Sequence, residues 1–164
     1  MDMVSEEEPK DIKELIRDII YNPLEQDIIP IHGNNNLDDD NYKLLIFEQA
    51  YRLLSIKQKK KKKKFNTNNI KLVLHFLLKE LNVWYTTNII DILLNRNTCR
   101  DIQSFYFLEA INYLATNNNY QTGFHLIKLI KEVSSLVHSI KKSIKMEAKN
   151  TLSLLLNCSG NNDL

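Results

Sequence analysis

The segment N-I-K-L-V-L-H-F-L-L-K-E-L-N, residues 69–82, decides the fold class of this chain. Its apolar side chains recur at positions i, i+3, i+4, i+7, i+8 and i+11, which is the spacing of one face of an α-helix. The segment therefore predicts an amphipathic helix that buries this face in a core. The side chains that form the face are Ile70, Val73, Leu74, Leu77, Leu78 and Leu81.

The same spacing recurs along most of the chain, whereas strand signals are nearly absent. The three glycines leave few positions for hairpin turns. We therefore expect an all-α fold of six to seven helices, either an irregular helical bundle or a short stack of helical hairpins. In a stack, residues 69–94 and 102–147 would form two successive hairpins. The other helices are predicted at 9–21, 40–57, 89–94, 102–116 and 121–147, with a short seventh within 148–157.

Length and composition favour a single all-helical domain over residues 1–164. Hydrophobic residues make up 43% of the chain, which is enough for a core. We expect an Asn-rich loop at 30–37, a Lys- and Asn-rich loop at 57–69 and a frayed C-terminus at 157–164. The start MDMVSEEE is acidic where a secretory signal is basic and then apolar, and no segment approaches the length of an apolar membrane span. These features predict an intracellular protein that does not enter a membrane.

The segment K-Q-K-K-K-K-K-K at 57–64 is the one whose composition points to a partner. Like charges at this density must be solvated or must meet an anion. Such a run is typical of a nuclear-localisation signal or a nucleic-acid contact, and we expect a nuclear or nucleolar location in preference to a cytoplasmic one. The alternative is a drifted loop insertion, because the abundance of Lys, Asn and Ile is typical of an A/T-rich genome. The lysines of the run are Lys57, Lys59, Lys60, Lys61, Lys62, Lys63 and Lys64.

Charge is divided unevenly along the chain. Residues 1–40 carry 12 acidic and 3 basic side chains, whereas residues 41–164 carry 8 acidic and 19 basic ones. The acidic N-terminal segment can therefore compete with an anionic partner for the basic remainder. A second candidate basic patch near one end of the predicted long helix contains Lys141, Lys142, Lys145 and Lys149.

The sequence carries no signature of a cofactor or metal site. Its three glycines are isolated, so it has no glycine-rich phosphate-binding motif, and its four histidines show no i, i+4 pairing. We predict no cofactor, no metal, no small-molecule ligand and no enzymatic activity. One catalytic arrangement can be named, in which Cys99 is the nucleophile and its base is His75, His125 or His138.

The aromatic residues at 105–107 cannot all face one way, because adjacent residues on a helix diverge by about 100°. At least one must contact a second helix or a partner. We interpret the group as burial on two sides in preference to stacking on nucleic-acid bases. The candidates for a protein interface are Tyr106, Phe107, Tyr113 and Tyr120.

Three segments share helix order and apolar spacing with a known domain. They are I-I-D-I-L-L at 89–94, F-L-E-A-I-N-Y-L at 107–114 and F-H-L-I-K-L-I-K at 124–131. Over residues 70–144 the chain resembles the C-terminal helical domain of WD-repeat proteins in the small-subunit processome, a nucleolar ribosome-assembly particle, although this chain has no WD repeats. The resemblance implies packed helical hairpins that hold assembly subunits together.

The resemblance and the lysine run together favour a non-enzymatic, helical protein–protein interaction subunit. We expect it to act in a nuclear or nucleolar assembly, such as one in ribosome biogenesis. Two alternatives stay open. One is a sequence-independent nucleic-acid-binding protein that uses the lysine run, and the other is an enzyme whose residues converge only in the folded chain.

Overall fold

The structure is a computed structural model that describes residues 11–21, 38–56, 66–81, 83–117 and 123–161. These residues form seven α-helices and one 3₁₀ turn, Val83–Tyr85, and no strand occurs among them. The predicted all-α fold is confirmed. The helices are α1 (Ile12–Tyr21), α2 (Asp40–Leu53), α3 (Thr67–Glu80), α4 (Thr86–Leu94), α5 (Asp101–Asn117), α6 (Gly123–Leu136) and α7 (Lys142–Asn161).

Short polar side chains fix the start of two helices. The Asp39 carboxylate precedes α2 and accepts a 2.9 Å hydrogen bond from the backbone N–H of Asn41. In the same way, the side-chain oxygen of Asn66 precedes α3 and accepts a 2.8 Å bond from the N–H of Asn68. Each cap satisfies a backbone donor that has no partner within its helix.

The apolar face of residues 69–82 is buried, as the sequence predicts. It belongs to one continuous core to which all seven helices contribute. α1 joins that core through Leu15, Ile16 and Ile19, and the Gln49 side chain on α2 donates a 2.8 Å hydrogen bond to the Ile19 carbonyl. Because burial of one such aliphatic side chain contributes about 1.5–3 kcal/mol, this core dominates the stability of the fold.

The helices pack as an irregular bundle. α2 packs against α3, α6 against α7 and α5 against α7, while α4 contacts α2, α5 and α6. The stacked alternative would instead pair α3 with α4 and α5 with α6. α4 has nine residues and α3 has 14, so α4 is too short to cover the length of α3, and the longer α2 lies there.

The predicted single helix over 121–147 is wrong. Residues 137–141 interrupt it, and the two helices that result, α6 and α7, pack against each other. The apolar spacing continues across the interruption because the buried residues of α6 and α7 are separated by close to a whole number of helical turns. Val133 and Ile144, for example, are 11 residues apart, which is about three turns. Ile140 falls within that spacing, yet its relative exposure is 103%. The periodicity alone therefore did not mark the break.

Hydrogen bonds in residues 137–141 give the local reason for the break. The backbone N–H groups of His138 and Ser139 donate to carbonyls three residues earlier, at 3.4 and 3.0 Å, which is the tightened pattern that often ends an α-helix. The Ser139 hydroxyl then accepts a 3.2 Å hydrogen bond from the N–H of Lys141. Serine hydroxyls that bond to nearby backbone compete with helix continuation.

Two further boundaries differ from the prediction. α7 extends to Asn161, so residues 148–157 belong to a long last helix and not to a short separate one. α3 begins at Thr67, within the predicted 57–69 loop, whereas residues 57–65 and the predicted loop at 30–37 lie outside the described residues. In the part of the chain that is described, no helix has the length and hydropathy needed to cross a membrane.

Candidate functional site on the last helix

The outer face of α7 gathers most of the second basic patch. Lys142, Lys145, Met146 and Lys149 occupy positions i, i+3, i+4 and i+7, which places them on one stripe of the helix. All four are exposed, while α7 buries Ile144, Ala148 and Leu155 against the bundle. The helical spacing therefore directs three ammonium groups and one thioether away from the core.

This stripe borders an open depression next to the α6–α7 connection. The depression has a volume of about 410 Å³ and is lined by Ser139, Ile140, Lys142, Lys145, Met146 and Lys149. Ile140 reaches it because the chain leaves α6 and enters α7 there, and Met146 is 58% exposed. We call Ile140, Lys142, Lys145, Met146 and Lys149 the α7 surface.

The positive charge of the α7 surface has no ion-pair partner among the carboxylates that the structure describes. Among the described residues, none of its three lysines forms an ion pair. The one acidic residue of α7, Glu147, accepts a 2.7 Å hydrogen bond from the Asn112 amide on α5. Asn112 is held from the other side by Thr151, whose hydroxyl donates to its carbonyl oxygen at 2.7 Å. Glu147 is thereby engaged with α5.

The fourth lysine of the predicted patch is partly engaged elsewhere. The Lys141 ammonium lies 3.9 Å from the Asp101 carboxylate, and both side chains are more than half exposed. Such an exposed pair contributes at most about 1 kcal/mol. Lys141 therefore adds positive charge beside the α7 surface without lining the depression.

The position of the lysines on α7 is unfavourable for the helix itself. A helix N-terminus carries a partial positive charge, so acidic side chains are stabilising there and basic ones are not. α7 has no acidic residue in its first turn and three lysines in its first eight residues. Residues that are locally unfavourable for stability, as these lysines are, are expected at functional sites.

The arrangement can bind an anionic partner. No group of three or more His, Cys, Asp or Glu side chains that could hold a metal occurs among them. The α7 surface supplies cationic donors and exposed aliphatic groups, which are binding elements.

The catalytic pairing proposed for Cys99 is not formed among the described residues. Cys99 is exposed, and its backbone N–H donates to the Asn97 side chain at 3.0 Å. His125 instead lies 2.9 Å from the Asp91 carboxylate, and the ring of His75 packs edge-on against Tyr113 with centroids 5.7 Å apart. The backbone N–H of the exposed His138 contributes to the end of α6.

Two of the predicted interface aromatics are corrected by the structure. Tyr106 and Phe107 are 2% and 0% exposed, so they belong to the core and offer no surface to a partner. Adjacent positions on α5 face different neighbours because this helix is buried on more than one side. Tyr113 is half-buried against His75, and Tyr120 lies outside the described residues.

The lysine run at 57–64 is not part of the described structure. Lys57 and Lys59 to Lys64 fall within residues 57–65, outside the described part of the chain. The contact predicted for them, with nucleic acid or an import receptor, stays a prediction. The second patch, at the start of α7, is the predicted basic surface that lies within the described residues.

Sequence reasoning missed a buried polar cluster around Arg96. Its side chain is 3% exposed, lies 3.1 Å from the Glu132 carboxylate and donates to the Ser104 hydroxyl at 2.9 Å. The guanidinium also stands over the Phe107 ring, 5.4 Å from its centroid. A single arginine in the α4–α5 connection carries no local signal of burial, because its partners come from α5 and α6. The cluster joins these elements and is structural.

No family model matches the chain, and neither a curated protein nor a solved structure shows significant similarity to it. The resemblance of residues 70–144 to the helical domain of processome proteins thus stays a prediction.

Proposed function

We propose that this chain is a non-enzymatic helical interaction subunit that binds a macromolecular partner through the α7 surface. The observation that carries the proposal is the exposure of Ile140 and Met146 among three lysines without ion-pair partners in the described structure. Apolar side chains gain free energy when they leave water, and exposed apolar groups rimmed by polar ones are characteristic of interaction surfaces.

The test compares one doubly substituted and one singly substituted protein, each purified under native conditions. Ile140→Ser with Met146→Ser removes the apolar part of the α7 surface. Leu72→Ser is the matched control, because Leu72 is 55% exposed on α3, close to the 58% of Met146. We expect proteins that accompany the wild type to remain with the control and to be lost with the double variant.

Affinity provides the quantitative form of this test. With a purified partner, the double variant should bind at least about tenfold more weakly, since each apolar side chain that becomes buried contributes about 1.5 kcal/mol or more. Equal recovery and equal affinity for the double variant and Leu72→Ser would overturn the proposal. Because both positions of the double variant are exposed, its thermal unfolding should match that of the wild type.

Nucleic-acid binding is the second candidate function. It is supported by four exposed lysines, Lys141, Lys142, Lys145 and Lys149, within about two turns at the start of α7. Contacts of this kind reach phosphates, are independent of sequence and weaken steeply with salt. A salt titration of RNA binding tests it, because replacing the four lysines by glutamine should flatten the dependence of affinity on salt. An unchanged slope excludes this patch as the contact.

The nuclear or nucleolar location is part of the same proposal and is supported by the lysine run at 57–64. A fluorescent fusion of the intact chain should accumulate in the nucleus. Replacing Lys59 to Lys64 by glutamine should disperse it, whereas replacing the lysines of the α7 surface should not. If the two variants showed the same distribution between nucleus and cytoplasm, the lysine run would not determine the location.

A further inference from the structure

We infer that the α7 surface recognises an acidic peptide segment in which a bulky apolar side chain lies between carboxylates. This inference rests on the proposed function and adds the chemical class of the partner. It comes from two features that occur together, the positive charge of the lysines and the exposed pair Ile140 and Met146.

Charge complementarity sets the acidic character of the partner. Lys142, Lys145 and Lys149 have no counter-charge among the described residues, and α7 directs them along one stripe. The first and last of the three are seven residues apart, which corresponds to about 10 Å along a helix. Carboxylates spread over about 10 Å of a peptide, three extended residues or two helical turns, match this spacing.

The apolar pair distinguishes a peptide from a nucleic acid. Phosphate groups would satisfy the lysines but would leave Ile140 and Met146 against a hydrated, charged backbone, with no gain from their burial. Stacking on bases uses aromatic rings or arginine planes, and the six residues that line the depression include neither. An aliphatic or aromatic side chain from a peptide is the group that Ile140 and Met146 can bury.

The shape of the site distinguishes a peptide from an anionic membrane. Helices that lie on membranes present a continuous apolar face to the lipid, whereas the continuous apolar face of α7, with Ile144, Ala148 and Leu155, is buried in the bundle. What remains is an open depression bordered by Ile140 and Met146, against which an apolar side chain can pack. Met146 is unbranched and flexible, so it can adapt to the side chain that enters.

Fluorescence anisotropy with the full chain and defined probes tests the inference. The probes are the labelled peptide E-E-L-E-E-L-E-E, its serine analogue E-E-S-E-E-S-E-E, a single-stranded oligouridine of twelve nucleotides, and vesicles of phosphatidylserine and phosphatidylcholine. We expect the leucine peptide to bind at least about tenfold more tightly than the serine peptide, since at least one leucine side chain would be buried against Ile140 and Met146. Oligouridine and vesicles should bind more weakly than the leucine peptide.

Variants assign this difference to the α7 surface. Ile140→Ser with Met146→Ser should make the two peptides equal, whereas Leu72→Ser should preserve the difference. Lys142→Gln, Lys145→Gln and Lys149→Gln together should weaken both peptides and flatten their salt dependence. The matched control removes three exposed lysines elsewhere, Lys13→Gln, Lys79→Gln and Lys131→Gln, and should have a smaller effect although the net charge is the same.

Each remaining outcome overturns the inference. Equal affinity of the wild type for both peptides would do so. So would tightest binding to oligouridine that does not depend on Ile140 and Met146, or vesicle binding that is lost with these two residues. If neither peptide binds but a natively purified partner is still lost with Ile140→Ser and Met146→Ser, the partner class is wrong and the proposed function stands. If that partner is also unaffected, both fall.

Discussion

The rings of Tyr51 and Tyr106 lie with their centroids 6.1 Å apart, yet their phenol groups differ in hydrogen bonding. The hydroxyl of Tyr51 donates a 2.7 Å hydrogen bond to the Leu93 carbonyl, near the end of α4, where carbonyls lack a donor within the helix. The hydroxyl of Tyr106 has no hydrogen-bond partner within the described structure. Two buried tyrosines in contact thus have different roles, one linking α2 to α4 and the other filling the core.

Substituting each tyrosine by phenylalanine should separate these roles. Tyr51→Phe leaves the buried Leu93 carbonyl without its donor, so we expect the free energy of unfolding to fall by about 1–3 kcal/mol. Tyr106→Phe removes a hydroxyl that makes no such bond and should change that free energy by less than about 1 kcal/mol. Urea unfolding measures both, and a larger loss for Tyr106→Phe would contradict this view of the pair.

Alkaline pH should destabilise the fold through the same two phenols. Burial raises the pKa of both far above its usual range, and for Tyr51 the nearby Arg96 guanidinium offsets part of this while Glu132 adds to it. Below about pH 10 the phenols are neutral in both states; above it the unfolded chain releases protons that the folded chain retains. Stability should therefore fall by up to about 1.4 kcal/mol per pH unit for each phenol. Between about pH 10 and 11.5, the free energy of unfolding should fall less steeply with pH for Tyr106→Phe than for the wild type. Equal slopes for the two proteins would contradict this.

Replacement of Arg96 should destabilise the fold, even when the new residue is lysine. A lysine ammonium cannot match the planar fork that reaches both Glu132 and Ser104. We expect Arg96→Lys to lower the free energy of unfolding by about 2 kcal/mol or more, because a buried charge would lose part of its partners. Arg17→Lys on the exposed face of α1 is the matched control and should stay within about 0.5 kcal/mol. Equal effects of the two substitutions would show that the buried contacts of Arg96 contribute nothing specific.

The interruption between α6 and α7 predicts a short distance across the hairpin. Spin labels at positions 128 and 149, in a chain with Cys99→Ser and Cys158→Ser, would be about 32 Å apart if residues 128–149 formed one helix. Packed helices lie about 8–10 Å apart. Allowing for the length of the label side chains, we expect the two spin labels to be less than about 20 Å apart, as measured by pulsed electron paramagnetic resonance. A distribution centred near 32 Å would restore the single helix.

Removal of residues 1–10 should strengthen binding of acidic probes to the α7 surface at low salt. These residues carry four acidic side chains and one lysine, and their charge acts over longer distances as salt falls. The truncation spares the buried Leu15, Ile16 and Ile19 of α1, so the fold should persist. We expect affinity for the leucine peptide to rise a few-fold at about 0.01 M salt, with little change at about 0.15 M.

Charge neutralisation provides the control for this truncation. Glu6→Gln, Glu7→Gln and Glu8→Gln in the full chain should reproduce most of the gain without changing its length. If neither protein gains affinity at low salt, the uneven charge of the chain has no influence on this surface.

Local periodicity accounts for what the sequence determined. The all-α class and the apolar stripes of α1 and α3 follow from spacing within single helices, because a side chain three or four residues away shares the same face. These features need no knowledge of which helix packs against which. Spacing along one helix predicts burial on two sides for residues 105–107, but it does not show which of them face other helices, so naming Tyr106 and Phe107 as interface residues is wrong.

Tertiary packing decided the rest. The apolar spacing fits one long helix as well as two helices in similar phase, so only the packing of α6 and α7 exposed Ile140 and combined it with Met146 and three lysines. Arg96 became a buried cation because its partners Ser104 and Glu132 come from α5 and α6. Contacts between residues far apart in the chain leave no local pattern, and the α7 surface depends on such contacts.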